Sequence, residues 1–138
     1  MSQSWSGRPR RDCGAVTFEA AIEFEKGTSR CNCTICTKSR FWFAIVQPDD
    51  FKMRQGEDNM SDYTWIPAGK TESHLRYRFC KTCGVRTFAK GSDGTFYAVS
   101  IVTLDGFEQD ADVLARTVKY QDGRHDDLKH VPTDTRLL

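Results

Sequence analysis

Residues 14–25 read Gly-Ala-Val-Thr-Phe-Glu-Ala-Ala-Ile-Glu-Phe-Glu. Val16, Phe18, Ala20, Ile22 and Phe24 fall on one side of this stretch, and Thr17, Glu19, Ala21 and Glu23 on the other. A period of two is that of a half-buried strand, with one face on a core and one in water. Further short strand candidates follow outward from it. They are the apolar run Phe41–Val46, then Phe51–Arg54, Tyr63–Ile66, His74–Phe79, Arg86–Ala89 and Phe96–Thr103. Gly27, Pro48-Asp49-Asp50, Gly56, Pro67-Ala68-Gly69, Gly84, Gly91–Gly94 and Asp105-Gly106 punctuate them. Short strands between closely spaced turn residues predict a mostly β fold. Ala111–Tyr120 fits either helix or strand, and the tail after Gln121 is polar.

The chain has 138 residues, a length that suits a single domain over residues 1–138 able to bury its own core. Residues 1–11 read as a loose N-terminal arm, because they are polar and carry the basic group Arg8, Arg10 and Arg11. Lys and Arg number 20 against 19 Asp and Glu, and this balance argues against a nucleic-acid partner, which needs a basic face. No apolar run approaches the roughly 20 residues that span a bilayer, so no membrane partner is expected. The start lacks the apolar segment of a secretory signal. These features place the protein in the cytoplasm, where thiols stay reduced and cysteine clusters point to metal or catalysis rather than disulfides.

All six cysteines fall into three groups. Cys13 stands alone before Gly14; Cys31, Cys33 and Cys36 form C-x-C-x-x-C; Cys80 and Cys83 form C-x-x-C before Gly84. Two intervening residues let a tight turn aim both sulfurs at one ion about 2.3 Å away. Cys33, Cys36, Cys80 and Cys83 would make one four-cysteine zinc site. Alternatively, Cys31, Cys33 and Cys36 hold one zinc with a position open, and Cys13, Cys80 and Cys83 hold another. Spacing alone leaves both schemes open. A thioredoxin-like reading is weak, since the C-x-x-C does not open a helix in a βαβ unit.

With Cys13-Gly14-Ala15-Val16-Thr17-Phe18, the C-x-C-x-x-C at 31–36 and Phe79-Cys80-Lys81-Thr82-Cys83-Gly84, the chain resembles the glutathione-dependent formaldehyde-activating enzymes. Thr103-Leu104-Asp105 is a weaker echo of the same pattern. The resemblance implies a β-tent fold, zinc as cofactor in one or two ions, and glutathione as co-substrate. It implies a carbon–sulfur lyase whose prototype reaction joins a small-molecule thiol and an aldehyde, glutathione and formaldehyde, into S-hydroxymethylglutathione. It assigns Cys31, Cys33 and Cys36 to an open catalytic zinc, and Cys13, Cys80 and Cys83 to three of four structural ligands. The fourth ligand belongs two residues before Cys13, where this chain has Arg11. A guanidinium stays protonated and cannot ligate zinc. A water, Asp12 or a distant histidine would have to replace it, or the site stays empty, which makes the central cluster the better zinc holder.

No general base stands out among His74, His125 and His130; His74 is expected in a strand and the other two in a solvated tail. Lys38 and Arg40 are the cations nearest the cysteine triple, as candidates to receive glutathione carboxylates. Phe41, Trp42, Phe43 and Trp65 read mainly as packing, with one of the first three a candidate for the pocket wall. The rival to an enzyme is a non-catalytic zinc-binding interaction module.

Overall fold

The structure is a computed structural model that describes residues 2–10, 13–66 and 68–138. Among the described residues, ten strands and two short α-helices are formed, and the strands make two sheets. The mostly β expectation holds.

The alternating stretch is β2 (Thr17–Ile22). Its apolar side chains point inward as the pattern requires: Val16, Phe18, Ala20, Ile22 and Phe24 are all buried. A three-stranded sheet places β2 between β1 (Gln3–Gly7) and β5 (Phe51–Gln55), antiparallel to both. The loose arm is therefore corrected at residues 3–7. Trp5 is buried and stacks on Phe24 at 4.9 Å. Arg8 donates through Nε to Asp105 at 3.0 Å, so at least one cation of the basic group is paired. Polar Gln3, Ser4 and Ser6 disguise a strand whose stability comes from pairing with β2, not from its own propensity.

The second sheet runs β10-β3-β4-β9-β8-β7-β6. Its members in chain order are β3 (Thr28–Cys31), β4 (Trp42–Val46), β6 (Met60–Tyr63), β7 (Leu75–Cys80), β8 (Arg86–Gly91), β9 (Tyr97–Ser100) and β10 (Val118–Gln121). The strand expected at Tyr63–Ile66 sits earlier, at β6, because Met60 rather than Ile66 reaches the core. The candidate at Phe96–Thr103 ends early, in a 3-10 turn at Ile101–Thr103. The ambiguous Ala111–Tyr120 divides into α2 (Ala111–Thr117) and then β10. Leu114 is the buried residue of α2.

Two features of this sheet matter for the cysteines. β7 and β8 form an antiparallel pair, so Cys80 ends one strand and the turn Lys81–Val85 returns the chain. β10 instead pairs parallel to β3, with Gln121 opposite Cys31. Parallel strands leave a sheet at the same end, so the residues after Gln121 emerge beside those after Cys31. That register brings the polar tail back onto the C-x-C-x-x-C segment. Among the described residues, no helix is long and apolar enough to cross a membrane.

Candidate functional site

The cysteines separate into two trios in two different apolar clusters. Cys13 and Cys80, with Cys83 against them, belong to the large core containing Phe18 and Phe88. Cys31 and Cys36, with Cys33 against them, belong to a smaller one around Phe41 and Tyr77. Cys80 and Cys83 meet Cys13 rather than Cys33 and Cys36, so the shared four-cysteine site is not assembled. All six are free thiols.

In the first trio the three sulfurs lie within 4.8 Å of one another, the one such group of metal-capable side chains among the described residues. Cys13 Sγ and Cys80 Sγ are 3.8 Å apart. Four sulfurs at about 2.3 Å around a tetrahedral zinc stand about 3.8 Å from each other, so the Cys13–Cys80 separation fits that ion. The surroundings enforce it. Gly84 N donates to Cys80 O at 2.8 Å and closes the turn. Asn59 Nδ2 donates to Cys80 Sγ at 3.6 Å and to Thr82 Oγ1 at 3.0 Å. Gly56 has φ +82°, and a Cβ there would fall 1.7 Å from the carbonyl oxygen of Ala15, so only glycine lets this turn close on the segment bearing Cys13. Burial alone would push the Cys80 thiol up, but N–H groups of Cys83 and Thr82 and the neighbouring thiols hold it below its ordinary value. Cys83 is raised, by burial and by its two sulfur neighbours. Arg11 and Asp12, the positions that bear on a fourth ligand, lie outside the described residues.

Cys31, Cys33 and Cys36 are gathered more loosely. Cys31 ends β3, Cys33 precedes α1 (Thr34–Ser39), and Cys36 sits on that helix. The segment expected as a turn or a single helical turn is this helix, closed by Arg40 at φ 58°. Cys33 N donates to Cys31 Sγ at 3.5 Å. The Cys31 thiol is held well below its usual range, because the thiols of Cys33 and Cys36 donate to it, with help from the N–H groups of Cys33 and Gly123. Cys33 and Cys36 are correspondingly raised, each first by its interaction with Cys31. Three cysteine sulfurs are a donor set that zinc accepts.

The returning tail forms the wall of this site, a role that no local pattern in residues 121–130 announces. Asn32 Nδ2 donates to Asp122 Oδ1 at 2.9 Å, and Arg124 donates through N to Asn32 Oδ1 and through Nε to Asn32 O, both at 2.9 Å. A Cβ on Gly123 would lie 2.5 Å from Cys31 Sγ. Asp122 also holds His125 Nδ1, at 2.8 Å. His125 is therefore anchored next to the site, while His130 pairs with Asp127 and His74 lies just before β7.

A cavity of about 570 Å³ opens on this side, lined by Cys33, Thr34, Ile35, Lys38, Tyr63, Trp65, Arg86, Gly123 and Arg124. Of the two expected cations, Lys38 reaches it. Arg40 instead donates to Leu137 O at 2.6 Å. Phe41 is buried against Phe43 and Tyr77, and Trp42 donates to Thr28 Oγ1 at 2.7 Å, so none of the 41–43 aromatics lines this cavity. Trp65, expected as packing, does line it, and stacks on Tyr77 at 6.1 Å.

A profile of the family described as glutathione-dependent formaldehyde-activating enzyme matches residues 8–120. The chain belongs to that family. A crystal structure of a Rhodobacter sphaeroides protein is similar in fold, with a TM-score of 0.60 at 24% identity, covering 73% of this chain and 88% of that one. Family membership brings glutathione and formaldehyde forward as small-molecule partners, and the trio at Cys13, Cys80 and Cys83 is a group that could hold a metal ion.

Proposed function

We propose that the protein is a zinc-dependent carbon–sulfur lyase-type enzyme of the cytoplasm, joining glutathione and formaldehyde to S-hydroxymethylglutathione and running the reverse cleavage. The observation that carries this reading is a cavity wall that includes Cys33 of the looser trio and three cations, Lys38, Arg86 and Arg124. In this reading Cys31, Cys33 and Cys36 are the ligands of an open catalytic zinc. Cys13, Cys80 and Cys83 hold a second, closed ion that ties the N-terminal segment to the β7–β8 turn. Bound at the open site, zinc would supply acidification of a thiol, since a coordinated thiol is deprotonated. Three thiolates already exceed the charge of the ion, which favours this role over polarising the aldehyde oxygen.

The remaining work falls to the chain. The cations draw an anionic thiol into the cavity, and Trp65 and Tyr63 pack against its apolar atoms. The thiolate sulfur attacks the aldehyde carbon and a C–S bond forms. The C=O π pair moves to oxygen, which takes up a proton, and the reverse returns that proton and breaks C–S. The Asp122–Asn32–Arg124 bonds keep the tail closed on the cysteines and fix the cavity's shape.

The test is the rate of S-hydroxymethylglutathione formation above the spontaneous reaction, followed by NMR. The wild type should accelerate it and Cys33→Ser should not. Equal rates with the two proteins would return the protein to the rival reading, a zinc-binding interaction module without catalysis.

A further inference from the structure

Arg86 is unlike the other cations of the cavity. Arg124 spends its guanidinium on Asn32 O and, at 3.4 Å, on Thr37 Oγ1. Lys38 is exposed on the short helix α1. The Arg86 guanidinium lies over two aromatic rings, 5.1 Å from the centroid of Tyr77 and 5.8 Å from that of Tyr63. Its Nη1 is shut away from solvent without a hydrogen-bond partner. Asp62 of β6 accepts from Arg78 at 2.7 Å, and Glu57, in the 3-10 turn before β6, lies 3.9 Å from the same guanidinium. None of the residues lining the cavity is acidic among those described.

A buried donor on a charged group is costly to leave unpaired. Ring faces hold a guanidinium in place but accept none of its in-plane hydrogen bonds. Nη1 being enclosed, the N–H groups that Nε and Nη2 leave at the cavity wall match one kind of ligand group, a planar anion that accepts two parallel hydrogen bonds. We infer that Arg86 is the specificity-determining residue of the cavity, pairing with a carboxylate carried by the thiol or by the aldehyde that enters beside Cys33. The inference rests on the thiol–aldehyde reading above and narrows it: uncharged thiols and uncharged aldehydes on their own are poor ligands, and one partner brings the carboxylate.

Calorimetric titration of the zinc-loaded protein with 3-mercaptopropionate, 2-mercaptoethanol and glyoxylate separates the possibilities. In the wild type the carboxylated thiol should bind at least about tenfold more tightly than the neutral one, the size of one charge-assisted interaction. Arg86→Met should abolish that difference while zinc content and the affinity for 2-mercaptoethanol stay unchanged; Arg86→Lys, which keeps the charge and loses the fork, should retain part of it. If Arg86→Met weakens glyoxylate but not 3-mercaptopropionate, the carboxylate belongs to the aldehyde. Equal binding of charged and neutral thiols together with no glyoxylate binding in the wild type would overturn the inference. So would unchanged binding of both 3-mercaptopropionate and glyoxylate in Arg86→Met, or equal weakening of the neutral thiol, which would mean that Arg86 only balances thiolate charge. Should Arg86→Met fail to fold, the wild-type contrast and Arg86→Lys still decide. A wild type that prefers carboxylates yet forms no glutathione adduct would leave this inference standing and remove the reaction proposed above.

Discussion

The two cysteine trios offer the same three sulfurs in opposite settings. Cys13, Cys80 and Cys83 sit in the main core, with Cys80 fully buried, a turn hydrogen bond behind it and Asn59 donating to its sulfur. Cys31 at the end of β3, Cys33 before a six-residue helix and Cys36 on it sit under a returning tail, with Cys33 lining a cavity. The first setting leaves little room for a ligand and much for stability. The second leaves a face open and depends on contacts between residues about 90 positions apart. The lesson is that coordination chemistry does not tell a structural site from a reactive one; burial and access do.

That contrast can be broken most sharply with metal ligands. Cys80→Ser should lower the melting temperature by well over 10 °C, because an ion tied into the main core contributes several kcal/mol or more to folding. Cys33→Ser should remove turnover yet move the melting temperature only by a few degrees. Thermal melts followed by circular dichroism give both, and similar melting shifts in the two variants would erase the distinction.

A second, smaller effect is expected at Gly123, where an added Cβ meets Cys31 Sγ at 2.5 Å. Gly123→Ala should displace the tail and cost about 1–3 kcal/mol, as overpacking does. Denaturant unfolding measures the cost, and zinc analysis should show the looser trio affected while the 13/80/83 trio keeps its ion. Asn59→Ala tests the opposite region. Loss of its donation to Cys80 Sγ and Thr82 Oγ1 should cost about 1 kcal/mol with adduct formation unchanged.

The weakest expected effect is acid sensitivity of the tail. Asn32 first, then His125, hold the Asp122 carboxyl below its ordinary value. A carboxylate depressed on folding stabilises the native state fully above its unfolded pKa, about 3.9, and loses that contribution as pH falls through the lower folded value. Amide exchange between pH 5 and pH 3 should therefore show residues 122–127 opening before the β7–β8 turn. Simultaneous opening would mean that the two regions are not independent.

Much of this architecture is legible in the sequence where interactions are local. Val16 to Phe24 alternate because their strand has one wet face, and the C-x-x-C turn needs only Gly84 to close. Elements held by distant partners are not legible in that way. Gln3–Gly7 and Thr28–Cys31 are too polar to declare themselves strands, and each exists because a neighbour pairs with it. The cavity was half visible: Lys38 lies five residues from Cys33, but Arg86, Trp65 and Gly123 reach it only through sheet order and the parallel register of β10 on β3. Arg11, standing where the resemblance needs a fourth structural ligand, made the central cluster the expected zinc holder, while the group whose sulfurs all lie within 4.8 Å of one another is Cys13, Cys80 and Cys83.

The most direct test of the two-trio account is zinc per chain, by elemental analysis of the wild type, Cys33→Ser and Cys80→Ser. The account predicts close to two ions in the wild type and close to one in each variant, with only Cys33→Ser retaining wild-type thermal stability. A single wild-type ion that either substitution abolishes would contradict it, since one shared site cannot be both the closed centre of the core and the open centre of the cavity.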